Sequence, residues 1–311
     1  MAEAVDPIPV AVVGVGKIAR DQHLPAIAGE PRMRLAAAVS RNASVDGVPN
    51  FVDLETYLAA GPKAAVALCT PPSARLEASL QAIAAGRDLL IEKPPAATLG
   101  EIETIRGAAE AAGVVLFATW HSRFAPGVAP AADWLKGRAV ERVAITWKED
   151  VRRWHPGQDW VWRPGGFGVF DPGINALSIL TEILPGQMHV AAARLEVPEN
   201  CAMPIGAELA MRGPENVPVS AVFDWRQEGP QTWDIEVVAD GRSLKLSHGG
   251  GTLEIDGQAV DVGGKSEYPS IYRRFAELIA TRQSDVDIAP LRICADAFLL
   301  GDRVPVAAFI E

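Results

Sequence analysis

The sequence predicts an α/β protein of two domains, and three observations carry that prediction. The apolar run Val10-Ala11-Val12-Val13 enters a Gly14-x-Gly16 turn and leads into a helix-compatible segment; a dinucleotide-binding βαβ unit begins this way. Short apolar runs then alternate with helical stretches through the first third of the chain. That alternation implies a parallel sheet with helices on both faces. Past residue 123 the pattern changes to alternating apolar and polar residues broken by Gly- and Asp-rich turns, as in a largely antiparallel sheet.

Taken in order, the first domain (1–123) has a helix from Ile18 to about Glu30, with Pro25 kinking it or ending a first piece. Leu35–Val39 reads as the second strand and Ala64–Cys69 as the third, closed by Thr70-Pro71-Pro72. A helix from Ser73 to about Gly86 follows; Ser73 can cap its start, and Leu76, Leu80 and Ile83 share one face. Leu89–Ile91 is a buried strand. Thr98 and Glu101 have capping-box spacing, and the helix they start should stop at Gly113, before a strand at Val114–Ala118. In the second domain (124–311), Val143, Ile145 and Trp147 alternate with polar or small residues. Further strands are expected around 190–197, 206–211, 218–225, 232–239 and 243–247, with helices near 173–184, 269–281 and 290–300 covering one side of an open sheet. The first domain is therefore expected to be a Rossmann domain, and the second an α/β domain.

A length of 311 residues suits two domains. Acidic residues outnumber basic ones by 39 to 29, a net charge of −10, which argues against nucleic acid or an anionic membrane as partner. The sequence shows neither a signal segment nor an apolar run long enough to span a bilayer. Its three cysteines, Cys69, Cys201 and Cys294, are scattered and form no zinc or disulfide pattern. A reducing cytoplasm is the expected location, and no metal is expected.

Gly14 permits the sharp turn, Gly16 lets a pyrophosphate approach bare backbone, and the following helix N-terminus offers free N–H groups to phosphate. Lys17 and Ile18 stand at that helix start; Lys17 could touch the pyrophosphate or simply be exposed. NAD binders hold the ribose 2′-hydroxyl with a carboxylate at the end of the second strand. Here the strand ends Val39-Ser40-Arg41-Asn42, without one. Arg41 could pair with a 2′-phosphate and Ser40 could hydrogen-bond to it; Arg41 could equally be a solvated loop residue. The expected cofactor is NADP, with NAD accepted. Thr70 and Pro71 are expected along the nicotinamide ribose or pyrophosphate.

Three more motifs appear in order: Glu92-Lys93-Pro94, Trp120-His121-Ser122-Arg123, and Gly165-Gly166-Phe167-Gly168-Val169-Phe170-Asp171-Pro172-Gly173-Ile174-Asn175. With the glycine turn, they resemble the glucose–fructose oxidoreductase and inositol dehydrogenase (Gfo/Idh/MocA) family over essentially the whole chain. The resemblance implies a Rossmann domain, an open-sheet domain, substrate held between them, and Glu92 and Lys93 close to the cofactor. Many members carry His where this chain has Asn175. An amide cannot act as a general base near neutral pH. That departure, and the segment Trp147 to Gln158, resemble the bacterial dehydrogenases that oxidise C1 of L-arabinose, D-galactose and D-fucose pyranoses to the lactone.

Such a reaction must remove a proton from the anomeric hydroxyl and a hydride from C1. Asp171 and Asn175, four apart at a helix start, point along one face. Asp171 is read as the proton acceptor and Asn175 as a sugar-orienting group; a plain N-cap is the other reading of Asp171. Lys93, past the carboxyl end of a parallel strand, would stabilise charge at O1 or act as the base itself. Trp147, Trp154, Trp160 and Trp162 crowd one segment beside Glu149 and His155, and pyranose CH faces stack on such rings. Glu149 and His155 are expected to bind sugar hydroxyls, with Trp154, His121 and the later Trp233 lining the pocket. His23 is expected to pack rather than react. The alternatives are a family dehydrogenase for a cyclic polyol such as inositol, and a dinucleotide-binding sugar sensor without turnover. The family resemblance suggests a homodimer paired through the free face of the second sheet.

Overall fold

The structure, a computed structural model, describes residues 6–264 and 267–311. The chain divides into two compact units. One runs to His121 and takes in the segment ending at Asp287; the other runs from Ser122 and takes in Ile288–Glu311.

The first unit is built on a six-stranded sheet, β1 (Ile8–Val13), β2 (Met33–Val39), β3 (Asn50–Phe51), β4 (Ala65–Leu68), β5 (Leu89–Ile91) and β6 (Leu116–Ala118). Its order is β3-β2-β1-β4-β5-β6, with every pairing parallel. This is the doubly wound order of dinucleotide-binding sheets, whose ligands lie outside the strand carboxyl ends where the order reverses. Here the reversal falls between β1 and β4. Val10, Ala11 and Val12 are fully buried, which is why this strand reads as a continuous apolar run.

After the glycine turn the chain coils into a π-helical turn, Ala19–His23, and then α1 (Leu24–Gly29), with Pro25 in its first turn. The expected kink at Pro25 is thus a wide turn just before it, and His23 ends that turn fully buried. The remaining helices are α2 (Leu54–Ala60), α3 (Arg75–Ala84) and α4 (Leu99–Ala112). Thr98 caps α4, and Gly113 at φ +63° ends it, as expected. Ser73 does not cap α3; it lies in a 3-10 turn ahead of it.

The second unit contains α5 (Val128–Leu135), β7 (Val140–Lys148), α6 (Val151–Trp154), α7 (Phe170–Ile183), β8 (His189–Pro198) and β9 (Gly206–Arg212). It continues through β10 (Pro218–Asp224), β11 (Thr232–Ala239), β12 (Arg242–Ser247), β13 (Thr252–Ile255) and β14 (Gln258–Val260). The nine-stranded sheet has the order β14-β13-β12-β11-β7-β10-β9-β8-β15, where β15 is Asp302–Val306. Its pairings are antiparallel except β7–β10 and β8–β15. The inward residues Val143, Ile145 and Trp147 are buried, and α7 lies in this core. Gly173 allows that approach, since a Cβ there would come within 2.8 Å of the Phe223 ring.

Helix α8 (Glu267–Thr281) belongs to the first unit, whereas α9 (Ala289–Leu300) belongs to the second. The sequence reading assigns 269–281 to the second sheet. Instead Tyr272 bonds His23 and Phe275 stacks on Phe117, so the apolar face of α8 covers the first sheet. Among the described residues, no helix is long and apolar enough to cross a membrane.

Candidate active site

In the first unit the candidate residues gather at strand ends. Gly14 has φ +90°, and a Cβ there would press within 3.1 Å of the Cys69 carbonyl and the Thr70 methyl. Glycine is needed for both conformation and space. A Cβ on Gly16 would meet nothing within 4 Å, so this face of the turn is open to a ligand. Thr70 Oγ1 is buried with no hydrogen-bond partner, and buried hydroxyls rarely stay so. An open glycine turn, a helix start and an unsatisfied hydroxyl at adjacent strand ends fit a dinucleotide. Ser40 and the exposed Arg41 follow β2. Pro71 opens the turn into α3.

Other cofactor candidates are placed differently. The Lys17 ammonium pairs with Asp21 one helical turn on, and Ile18 is exposed. Glu92, expected close to the cofactor, is buried at 3% exposure. Its Oε1 accepts from His23 Nε2 at 2.9 Å and from the Tyr268 hydroxyl at 3.0 Å. Its Oε2 accepts the Lys93 N–H at 3.0 Å. The carboxylate thus has protein partners on both oxygens. Burial alone would raise its pKa; the hydrogen bond and charge of His23, with the charges of His121 and Arg75, instead hold it at about 2. Lys93 follows in a cis peptide with Pro94. His121 bonds Glu267 at 2.7 Å and stacks on Tyr268.

In the second unit Asp171 and Asn175 lie one turn apart on α7. Asp171 is inside the helix, and Val169 is the N-cap residue, without a side-chain cap bond. The N-cap reading of Asp171 therefore fails. Asp171 is buried, and its Oδ2 lies 3.6 Å from His155 Nε2. Gly168 makes the entry to α7 possible, since at φ +53° it faces the Pro204 carbonyl where a Cβ would sit 2.3 Å away. Arg123 braces the helix, donating to the Ser178 carbonyl and the Thr181 hydroxyl.

Glu149 has two aromatic partners. It is buried, and its oxygens accept from Trp225 Nε1 at 3.1 Å and Trp233 Nε1 at 2.9 Å. The indoles come from the ends of β10 and β11, so this carboxylate orients aromatic rings. Trp233 stacks on Trp147 and lies 5.5 Å from Trp154, which is partly exposed. His155 packs on Trp225. Trp162, in the crowded segment, packs between Trp225 and Phe309.

Sequence reasoning missed Arg75 and Trp225. Arg75 is buried at the start of α3. It donates through Nε to the Thr70 carbonyl at 2.8 Å and through Nη1 to the Glu92 and Pro94 carbonyls. Nothing in the local sequence marks it, because the carbonyls of Thr70, Glu92 and Pro94 that it binds are main-chain atoms, which carry no side-chain pattern. Trp225 had a signal: it continues the inward side of β10 two residues after Phe223.

A dinucleotide-binding sheet joined to a second unit that carries a buried carboxylate beside an imidazole defines a nicotinamide-dependent oxidoreductase. Residues 8–119 match the model of an oxidoreductase family described by its NAD-binding Rossmann fold. The chain is 44% identical to galactose 1-dehydrogenase of Pseudomonas fluorescens over 310 residues, covering 98% of this chain and 99% of that protein. It is 50% identical to the D-galactose-1-dehydrogenase protein of Rhizobium etli, whose crystal structure it matches over 100% of both chains with a TM-score of 0.95. KijD10, a 3-ketoreductase from Actinomadura kijaniata, shares the fold at 18% identity, with a TM-score of 0.83 over 97% of this chain and 100% of that one. The chain belongs to the Gfo/Idh/MocA oxidoreductase family.

Proposed function

We propose that the protein is an aldose 1-dehydrogenase that oxidises C1 of D-galactose, L-arabinose or D-fucose pyranose to the lactone, with NADP as preferred acceptor. The observation that carries this reading is the buried Asp171, in the first turn of α7, with His155 at 3.6 Å and Asn175 one turn along. The likeness to two galactose 1-dehydrogenases supports it. When bound, the nicotinamide supplies the hydride acceptor.

The protein's own residues handle the proton and the orientation. Asp171 accepts the anomeric proton. His155 can stabilise that carboxylate or hand its proton onward. Asn175 orients the sugar through its amide, and Lys93 stabilises charge developing at O1. Trp154 and Trp233, with Trp233 held by Glu149, offer apolar faces to the pyranose. Arg41 and Ser40 hold the 2′-phosphate.

We also propose a cytoplasmic homodimer. Across β9, β10 and β7, Ala210, Ser220 and Ala144 stand in register and exposed. This flat row of small residues suits a second copy of the same face. The reading is tested by incubating the protein with D-galactose and NADP and following the sugar by NMR. Loss of the anomeric signals, with lactone or galactonate appearing, is expected; unchanged galactose beside bound NADP contradicts it.

A further inference from the structure

We propose that Glu92 is a positioning residue, whose buried carboxylate fixes the turn carrying Lys93 by joining the Lys93 N–H to His23 and Tyr268. The inference rests on the reading that Lys93 acts at the sugar O1. Three elements of the first unit meet at Glu92, which directly follows β5: the helical segment after the glycine turn bonds it through His23, and α8 bonds it through Tyr268 and holds the other ring nitrogen of His23 through Tyr272.

The main chain around Lys93 is held on both sides. Its N–H donates to Glu92 Oε2 at 3.0 Å. The carbonyls of Glu92 and Pro94 accept from Arg75, which also binds the Thr70 carbonyl. The Lys93 Cα is thereby tied to the turn bearing the unsatisfied Thr70 hydroxyl. A buried charge pair of this kind is seldom needed for stability, because apolar residues of similar volume often serve as well. Its use here is geometric: the ammonium starts from a fixed point, and small displacements of a reacting group cost large factors in rate. The surroundings favour the charged form of each partner. Burial opposes the His23 cation, yet Cys69, Tyr272 and Glu92 raise its pKa well above the usual value. Glu92 is held at about 2.

Glu92→Gln keeps the volume, removes the charge and replaces one acceptor oxygen with an NH2 donor, so His23, Tyr268 and the Lys93 N–H stay paired together only if His23 turns neutral and both it and Tyr268 become acceptors. Tyr268→Phe removes one donor and keeps the ring against His121. Lys93→Met removes the group being positioned. For each variant of the full chain, kcat and KM for D-galactose are measured, and NADPH-binding sites per chain are counted by fluorescence titration. The expected result for Glu92→Gln is a kcat per binding site lower on the order of tenfold to a hundredfold, with KM and NADPH affinity within about threefold. Tyr268→Phe should show a smaller loss of the same kind. A merely structural role would lower the number of binding sites and leave kcat per site unchanged; that result overturns the proposal. An inactive Lys93→Met beside a fully active Glu92→Gln overturns the proposal alone. A fully active Lys93→Met overturns it together with the reading of Lys93.

Discussion

His155 Nε2 lies 3.6 Å from Asp171 Oδ2, a carboxylate that is 6% exposed at its side chain. Asp171 comes from the first turn of α7 and His155 from the loop after α6, sixteen positions earlier in the sequence. Neither residue caps a helix through its side chain. The pairing puts an imidazole within reach of the group proposed to take the anomeric proton.

Asp171→Asn keeps the shape and removes the basicity. Loss of a positioned general base should lower kcat by about 10²–10⁴-fold. NADPH affinity, measured by fluorescence titration, should stay unchanged. Wild-type kcat in this variant would exclude Asp171 as the base.

Glu149 accepts from the buried indole of Trp225 and the half-buried indole of Trp233, and Gln offers only one acceptor oxygen. Glu149→Gln should therefore leave one indole N–H facing an amide donor and cost about 1–3 kcal/mol. Calorimetry should show a Tm lower by about 2–5 °C. The KM for sugar should rise as well, since Trp233 loses its orienting partner. An unchanged Tm and KM would mean that the ring positions are set by packing alone.

How far the site could be read from sequence follows from where each residue finds its partners. The glycine turn, β1, the Thr98 cap and the β7 alternation are local patterns, and each emerges as expected. Asp171 and Asn175 were also legible, because helical spacing alone puts them on one face. The partners of Glu92 and Glu149 were not legible, because a carboxylate in sequence shows nothing of the groups it will meet. Those partners, Tyr268 and Trp225, stand far along the chain. Helix α8 was misassigned for the same reason: its amphipathic pattern shows that it covers a sheet, without specifying which one. The π-helical turn ending at His23 leaves no periodic signal, since one extra residue per turn blends into an ordinary helix.

Arg41 is exposed at the end of β2, and no carboxylate stands beside it in sequence. Arg41→Ala should raise the KM for NADP on the order of tenfold and leave that for NAD nearly unchanged. Steady-state kinetics with both cofactors makes the comparison. Equal effects would place the 2′-phosphate contact elsewhere.

The His23–Glu92 pair makes stability depend on pH at both ends. Glu92 has a folded pKa of about 2, below its usual 4.5. Its contribution is present above 4.5 and is lost as pH falls toward 2. His23 is raised above 6.5. Its contribution is complete below 6.5 and is lost as pH rises through the raised value. Urea titrations across pH should show the greatest gap between wild type and His23→Gln between those limits, narrowing on either side. A gap independent of pH would show that the pair is not ionised.

The central claim is oxidation of an aldose at C1, and the absorbance of reduced nicotinamide tests it most directly. NADP and NAD are each supplied with D-galactose, L-arabinose, D-fucose, D-glucose and myo-inositol. Fast reduction with the first three sugars, little with glucose or inositol, and a preference for NADP are predicted. Reduction by inositol alone, or none with any sugar despite bound NADP, would contradict the account.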